Sequence, residues 1–219
     1  MNVWTIYLSS KSTRQDITPE WLAKVAAAVT IQLRTDFAPD YGLAFWTMTT
    51  VPTPGAFNMV VSDIPDQPGV LGYHDDAGDV PEAKVFTLGP AEPLDDLSRT
   101  ISHEALELVR DQDAAGFRLT MSGVAFADEA CDAVEDTSYE IDGVRVSNFV
   151  LPSWYVEGSS GPWDHLHVLP GPCTKTAGGY VIELRNGQVA TDPPEAAQKN
   201  ARKAHPESRT SRRLRACAR

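Results

Sequence analysis

The stretch "TISHEALELVRD" (Thr100 to Asp111) completes a segment in which apolar residues recur every three or four positions. This spacing predicts a helix over 94–111 that packs on a sheet with one side. The apolar stripe consists of Leu94, Leu97, Ile101, Ala105 and Leu108. The chemistry of the other side of this helix is therefore the next question.

The polar side of this helix carries an H-E-x-x-E pattern, one residue away from the H-E-x-x-H signature of zinc hydrolases. Residues four apart lie on one helix face, so His103 and Glu107 can bind the same ion. Glu104 is then the general base that takes a proton from water at the metal. The alternative is an ordinary surface helix, whose polar face is solvated.

An acidic segment downstream, "FADEACDAVED" (126–136), offers a further ligand. We expect Glu129 to be the third metal ligand and Asp132 to orient the ligating histidine from behind. Asp128 and Glu135 remain alternatives for the third ligand. The alternative is that this segment is a solvated acidic loop.

Strands and one further helix are expected around this segment. Thr18 as a cap and Pro19 at the first helical position predict a helix over 18–37. Asp142-Gly143 between two β-rich runs predicts a hairpin. Strands are expected at "VWTIYL" (3–8), 43–51, 57–64, 69–75, 83–89 and "GYVIEL" (179–184). This order of elements indicates an α+β domain.

Charge divides the chain into two parts. Residues 191–219 hold eight Lys/Arg against three Asp/Glu, a net charge of +5. The whole chain has a net charge of −11, so residues 1–190 have a net charge of −16. We therefore expect an α+β domain over 1–190 and a basic tail over 191–219 that is extended, helical or disordered. The acidic body argues against nucleic-acid binding by the domain. The tail is expected to contact an acidic protein surface or nucleic acid, and the alternative is that it folds back on the acidic body.

Location and redox state are constrained only by what the sequence lacks. The N-terminus has no secretory signal pattern and no apolar run is long enough to span a bilayer, so no membrane association is expected. Cys131, Cys173 and Cys217 form neither a disulfide framework nor a zinc clip. We expect a cytoplasmic or virion-associated protein of unknown oligomeric state.

Several separated blocks resemble a zincin-type family of phages and bacteria. They are "SHEALELVRD", "DEACDAVEDTSYEIDGVRVSNFVLPSWY" and "GPWDHLHV…GGYVIEL", with the upstream "LGYHDDAGDVPEAKVF" also fitting. The resemblance covers residues 40–185. It implies a minimal gluzincin-like fold, in which a twisted mixed sheet with an N-terminal helix lies above a metal-bearing helix.

The resemblance also implies site residues and a function. His103, Glu107 and Glu129 would bind Zn²⁺ or another divalent metal, Glu104 would be the base, and Tyr139 would donate to a developing oxyanion. An edge strand near 83–89 would pair with a peptide or protein substrate. The expected activity is that of a zinc-dependent, peptidase-like metallohydrolase. The alternative is a phage virion protein that keeps the fold without turnover, because Glu107 makes the ion a weaker Lewis acid.

Two other histidine clusters carry side chains of the kind that bind metals. His74 precedes two aspartates in "YHDDAGD", a pattern more typical of a turn. His165 and His167 would share one face of a strand in "WDHLHV", but a single pair without further ligands is a weak signal.

Overall fold

The larger sheet has five strands and forms from the first half of the chain. The computed structural model describes residues 3–66, 71–75, 80–194 and 196. The strands are β1 (Val3–Ser10), β2 (Phe45–Thr49), β3 (Phe57–Ser62), β4 (Gly72–Asp75) and β5 (Glu82–Phe86). Their order is β2-β1-β3-β5-β4, in which β4 is antiparallel to β5 and the other pairs are parallel. The sheet is mixed, as predicted.

The position of β5 corrects one expectation. Ala83 pairs with Met59 of β3 on one side and with His74 of β4 on the other. Because both backbone edges of β5 are used, the prediction that 83–89 is an edge strand is wrong. The short preceding strand β4 folds back against β5 and takes the outer position, so β4 is the edge strand at this side of the sheet among the described residues.

The N-terminal helix begins where the sequence predicts. Thr18 Oγ1 accepts a hydrogen bond from the backbone N–H of Trp21 (3.1 Å), and Pro19 is the first helical residue. The helical run consists of α1 (Pro19–Ile31), a π-helical segment (Gln32–Phe37) and α2 (Ala38–Tyr41). The predicted single helix is therefore present but widens into a π-helical turn in its second half.

The central helix α3 (Leu94–Arg110) matches the predicted span of 94–111 within one residue. It packs against β4, β5 and the second strand of the hairpin described next. Its apolar stripe enters the main core together with residues from the sheet and α1, among them Ile6, Leu8, Val25, Val29, Met59, Val61 and Val85. Burial of this stripe fixes α3 under the β4 end of the sheet.

The second half of the chain forms a smaller sheet and a hairpin. The strands of the smaller sheet are β6 (Phe117–Leu119), β7 (Ala125–Ala127), β10 (Val181–Arg185) and β11 (Gln188–Asp192), in the order β11-β10-β7-β6. The hairpin joins β8 (Ser138–Ile141) to β9 (Val144–Ser147). Asp142 and Gly143 at its turn have φ of 50° and 68°, as a tight hairpin turn of this kind requires.

Together these elements form an α+β protein, as predicted from the order of elements. The strand β11 reaches Asp192, so the first two residues of the predicted tail belong to the smaller sheet. Residue 195 and residues 197–219, which carry the basic charge, lie outside the described residues. None of the described helices is both long and apolar enough to cross a membrane.

Candidate metal centre

The part of α3 that carries the H-E-x-x-E pattern is buried on every side. Each residue from Ile101 to Val109 is buried, and Glu107 exposes only 2% of its surface. A surface helix leaves its polar face in water, and burial of an ionised side chain costs several kcal/mol unless it is compensated. The alternative of a solvated polar face is therefore wrong, and the motif faces the protein interior.

Buried hydrogen bonds of the Ser102 hydroxyl fix the orientation of α3 about its own axis. The Ser102 hydroxyl donates to Gln32 Oε1 (2.7 Å) and accepts from the backbone N–H of Ser147 (3.0 Å). Gln32 in turn donates to the carbonyl of Ser147 (2.8 Å). Because Gln32 belongs to the π-helical segment and Ser147 to β9, the network ties α3 to both neighbours. His103, the next residue, is thereby held in a defined direction.

Three side chains converge at His103. Its Nε2 lies 3.4 Å from Glu107 Oε2, one helical turn on, and 3.4 Å from Asp132 Oδ1. The ligand atoms of these three residues all lie within 4.8 Å of one another. The His103 side chain exposes 11% of its surface, against 2% for Glu107 and 7% for Asp132. His103 is therefore the most exposed of the three side chains.

Backbone contacts place Asp132 opposite the helix. The N–H of Cys131 donates to Glu107 Oε1 (3.2 Å), and the carbonyl of Asp132 accepts from the N–H of Tyr180 (2.9 Å). Asp132 also begins a short 3₁₀ turn (Asp132–Val134). These bonds join the acidic segment to both α3 and the start of β10, so the carboxylate is directed at His103.

The acidic segment is part of the interior. Asp128, Glu129 and Asp132 expose 7%, 4% and 5% of their surface. The alternative of a solvated acidic loop is therefore wrong. Asp128 forms ion pairs with Arg110 (2.6 Å) and Arg118 (2.9 Å), which commits its carboxylate to structure rather than to metal binding.

The structure distributes the two predicted acids differently from the expectation. Asp132, expected to act from behind, is the carboxylate in direct reach of His103 and Glu107. Glu129, expected as the third ligand, lies with its Oε2 3.9 Å from Nε2 of His74. Local spacing could not decide between them, because both lie on the same irregular segment and its path is set by β7 and β10.

His74 is the residue of this centre that sequence reasoning underrated. It is fully buried on β4, and its Nδ1 lies 3.8 Å from Glu104 Oε2 and 4.0 Å from Glu107 Oε2. Its Nε2 lies 2.9 Å from the carbonyl oxygen of Asp111. Since a carbonyl only accepts, Nε2 is the donor there and Nδ1 faces the carboxylates. The segment "LGYHDD" contains His74, but only the contact between β4 and α3 shows that it lies beside Glu104 and Glu107.

Glu104 occupies space that a glycine leaves open. A Cβ at Gly72 on β4 would lie 2.7 Å from Glu104 Oε1 and 2.8 Å from Glu104 Cγ. Real Cβ atoms do not approach other atoms so closely, so this position requires glycine for the observed Glu104 conformation. The side chain is thus packed between α3 and the edge strand, beside the His103 group.

Burial and charge shift the pKa values at His103 and Glu107. Burial lowers the pKa of His103, but the adjacent Glu107 and Asp132 carboxylates outweigh it and raise that pKa well above 6.5. Burial and the charge of Asp132 raise the pKa of Glu107 to about 7, against the opposing effect of His103. A cation that binds between these side chains would therefore displace protons near neutral pH.

Tyr139 lies away from this centre. Its hydroxyl donates to Asp36 (2.7 Å) and accepts from Gln32 (3.2 Å), and its ring packs against His165 at 4.9 Å. Burial and the contact with Asp36 raise its pKa. A hydroxyl has one proton to donate, and here Asp36 receives it. The described contacts of Tyr139 thus tie the hairpin to the helical run and do not bring it to His103.

Tyr180 is the tyrosine next to the centre. Burial and the neighbouring Asp132 raise its pKa well above 10. It lines a small cavity of about 10 Å³ that is also bordered by Glu129 and Asp132. A cavity of this size holds about one water molecule. The cavity therefore gives the acidic side of the centre room for one small species.

The second histidine pair does not form a strand or join the centre. Asp164 accepts the backbone N–H groups of Val168 (3.2 Å) and Leu169 (2.9 Å), which closes a turn over these residues. His167 has φ of 58° and His165 stacks on Phe149 at 4.9 Å. The predicted strand at "WDHLHV" is therefore wrong, because a buried aspartate organises the segment as a turn.

The residues at His103 fit a divalent transition metal. Imidazole nitrogen with two carboxylate oxygens is a ligand set that zinc hydrolases use. Two ligands about 2.1 Å from a tetrahedral zinc ion lie about 3.4 Å apart. The distances from His103 Nε2 to Glu107 and Asp132 are both 3.4 Å. Binding would therefore require little movement of these three side chains.

Comparisons with protein-family models, with characterised proteins and with solved structures return no match to this chain.

Proposed function

We propose that the chain is a metal-dependent hydrolase with a zincin-like centre, in which His103, Glu107 and Asp132 hold a divalent metal, most naturally Zn²⁺. The observation that carries this proposal is the pair of 3.4 Å distances from His103 Nε2 to the two carboxylates. Burial of all three residues supports it, because the interior strengthens electrostatic contacts to a cation.

A divalent metal held by His103, Glu107 and Asp132 would supply Lewis-acid polarisation of an electrophilic carbonyl. Glu104 supplies the base, because it follows His103 directly on α3 and its carboxylate lies in the pocket left by Gly72. The carboxylate takes a proton from the attacking water and later returns it to the leaving group. The packing between α3 and β4 limits the positions available to Glu104, which orients it for this transfer.

The substrate class that we propose is a peptide or protein segment. The strand β4 is the outer strand on this side of the larger sheet among the described residues, and it carries His74 into the centre. An exposed strand edge binds extended peptides through main-chain hydrogen bonds. This assignment moves the proposed substrate strand from 83–89 to β4.

The test combines metal content with cleavage of a denatured-protein digest, followed by mass spectrometry. We expect wild type to retain metal after zinc loading and dialysis, and Glu104→Gln to retain the same content while cleavage falls by about 10²–10⁴-fold. Glu140→Gln, an exposed carboxylate on β8, is the matched control and should change neither readout.

Two results would contradict the proposal. One is wild type that binds less than about a tenth of an equivalent of metal after loading. The other is Glu104→Gln that cleaves as fast as wild type. Metal retention without cleavage of any peptide by wild type would favour the alternative stated from the sequence, a virion structural or interaction protein that keeps the fold without turnover.

A further inference from the structure

A second group of side chains that can bind a metal lies beside the His103 group, and the proposed hydrolytic steps give it no role. It consists of His74, Asp111 and Glu129, which are all buried and whose ligand atoms lie within 4.8 Å of one another. The group contains one imidazole and two carboxylates, the same composition as the group at His103. It shares no residue with His103, Glu107 and Asp132.

The three residues come from three different elements, and each is held in place. His74 lies on β4, Asp111 follows the last residue of α3, and Glu129 follows β7. The Asp111 carboxylate accepts the backbone N–H groups of Ala115 (3.2 Å) and Gly116 (2.9 Å). These bonds fix one carboxylate before any ion arrives, which lowers the cost of forming the site.

The main chain adds a fourth ligand, which is a carbonyl oxygen. The carbonyl of Asp111 lies 2.9 Å from His74 Nε2, at the C-terminal end of α3. Carbonyl oxygens at a helix C-terminus carry partial negative charge and attract cations. Two ligands about 2.1 Å from an ion and about 90° apart lie about 3.0 Å from each other, so this carbonyl and Nε2 suit neighbouring positions on one ion.

Charge and space favour a divalent cation. Two carboxylates and a neutral imidazole balance a charge of +2, so the filled site adds no net charge to the interior. The 3.9 Å from His74 Nε2 to Glu129 Oε2 is wider than the 3.4 Å spacings at His103. Wider spacing and more oxygen ligands suit an ion such as Mn²⁺, which accepts carboxylate, carbonyl and imidazole. The cavity of about 10 Å³ beside Glu129 provides adjacent space.

We propose that His74, Asp111 and Glu129 form a second divalent-cation site, next to the one at His103. When Nε2 of His74 binds the ion, the ring proton resides on Nδ1, which faces Glu104 Oε2 (3.8 Å) and Glu107 Oε2 (4.0 Å). The imidazole then bridges the second ion and the carboxylates of the first centre. A carboxylate behind a ligating histidine is a common arrangement in metal sites.

The experiment counts bound Mn²⁺ by electron paramagnetic resonance during titration of the full chain, with zinc content by elemental analysis as a second readout. We expect wild type to bind about two equivalents, and Glu129→Gln and His74→Gln each to bind about one. Glu140→Gln is again the control and should bind as wild type does. Circular dichroism before titration confirms that each variant is folded.

Wild type that saturates at one equivalent, with that equivalent lost in Asp132→Asn and kept in Glu129→Gln, would overturn the second site. Glu129→Gln that keeps two equivalents would overturn it as well. The outcome is separable from the hydrolase proposal through Asp132→Asn. If Asp132→Asn still binds as wild type while Glu129→Gln loses one equivalent, the second site stands and the His103 centre fails.

Discussion

Replacement of Gly72 by alanine tests the packing that positions Glu104. The added Cβ would lie 2.7 Å from Glu104 Oε1, 2.8 Å from Cγ and 3.0 Å from Cδ. The whole side chain, not only its flexible end, stands in the way. Glu104 is 5% exposed between α3 and β4, so it has little room to move aside. Either Glu104 leaves its position or β4 moves away from the helix.

The magnitude follows from two opposing effects. Alanine in place of glycine stabilises a compatible strand by about 0.4–1 kcal/mol through the unfolded state. Overpacking in a rigid interior costs about 1–3 kcal/mol. We therefore expect Gly72→Ala to lower the free energy of unfolding by about 1–2 kcal/mol. Urea unfolding of the metal-free protein, followed by tryptophan fluorescence, measures this difference.

A double-mutant cycle isolates the contact between the two residues. In a Glu104→Ala background the clash is absent, so Gly72→Ala should be neutral or stabilising there, with a coupling energy of about 1–3 kcal/mol. Gly171→Ala is the control, because its Cβ would meet nothing nearer than 3.7 Å. If Gly72→Ala has the same effect in both backgrounds, Glu104 does not pack against β4 and its positioning as described is incorrect.

Three further changes have defined outcomes. Hydrogen bonds from Ser12 and its neighbours lower the pKa of Asp63 to about 2, so Asp63→Asn should cost about 1 kcal/mol above pH 4, allowing for partial exposure. Because the folded-state pKa is the lower one, this difference should disappear as the pH falls from 4 to 2 in urea titrations. The pKa of His103 is raised well above 6.5 and that of Glu107 to about 7. Zinc binding at pH 7 should therefore release about one to two protons. Calorimetry in buffers of different ionisation enthalpy measures this number. Gly179→Ala places a Cβ 2.2 Å from a backbone carbonyl oxygen and should destabilise the fold by about 3 kcal/mol or more in urea unfolding.

Each of these has a result that would count against it. A pH-independent difference for Asp63→Asn would mean that its carboxylate is not held by the described hydrogen bonds. Zinc binding without proton release at pH 7 would mean that the ion does not displace protons from His103 and Glu107. A Gly179→Ala protein as stable as wild type would mean that Gly179 does not pack against the 3₁₀ turn Asp132–Val134.

Local patterns were sufficient for the helices and the hairpin. Thr18 with Pro19 predicted the start of α1, and the apolar stripe predicted α3 within one residue. Asp142-Gly143 predicted the β8–β9 turn. These features are determined by residues close together in the chain, through capping, helical period and positive φ. The α+β class followed from their order.

The arrangement of the centre was not predictable in the same way. Strand order depends on pairing between distant segments, so β5 was expected at an edge that β4 occupies. The choice of Asp132 over Glu129 at His103 depends on the path of an irregular segment between β7 and β10. His74 reaches the centre only because β4 packs against α3. Residue spacing along the chain contains no information on how such distant elements pack.

The most direct test of the metal centre is an anomalous difference map, recorded at the zinc edge, from crystals of the zinc-loaded protein. We expect a peak about 2.0–2.2 Å from His103 Nε2, Glu107 Oε2 and Asp132 Oδ1 together. Absence of any peak at these three atoms, or zinc bound only by residues outside this group, would contradict a hydrolytic metal centre on α3.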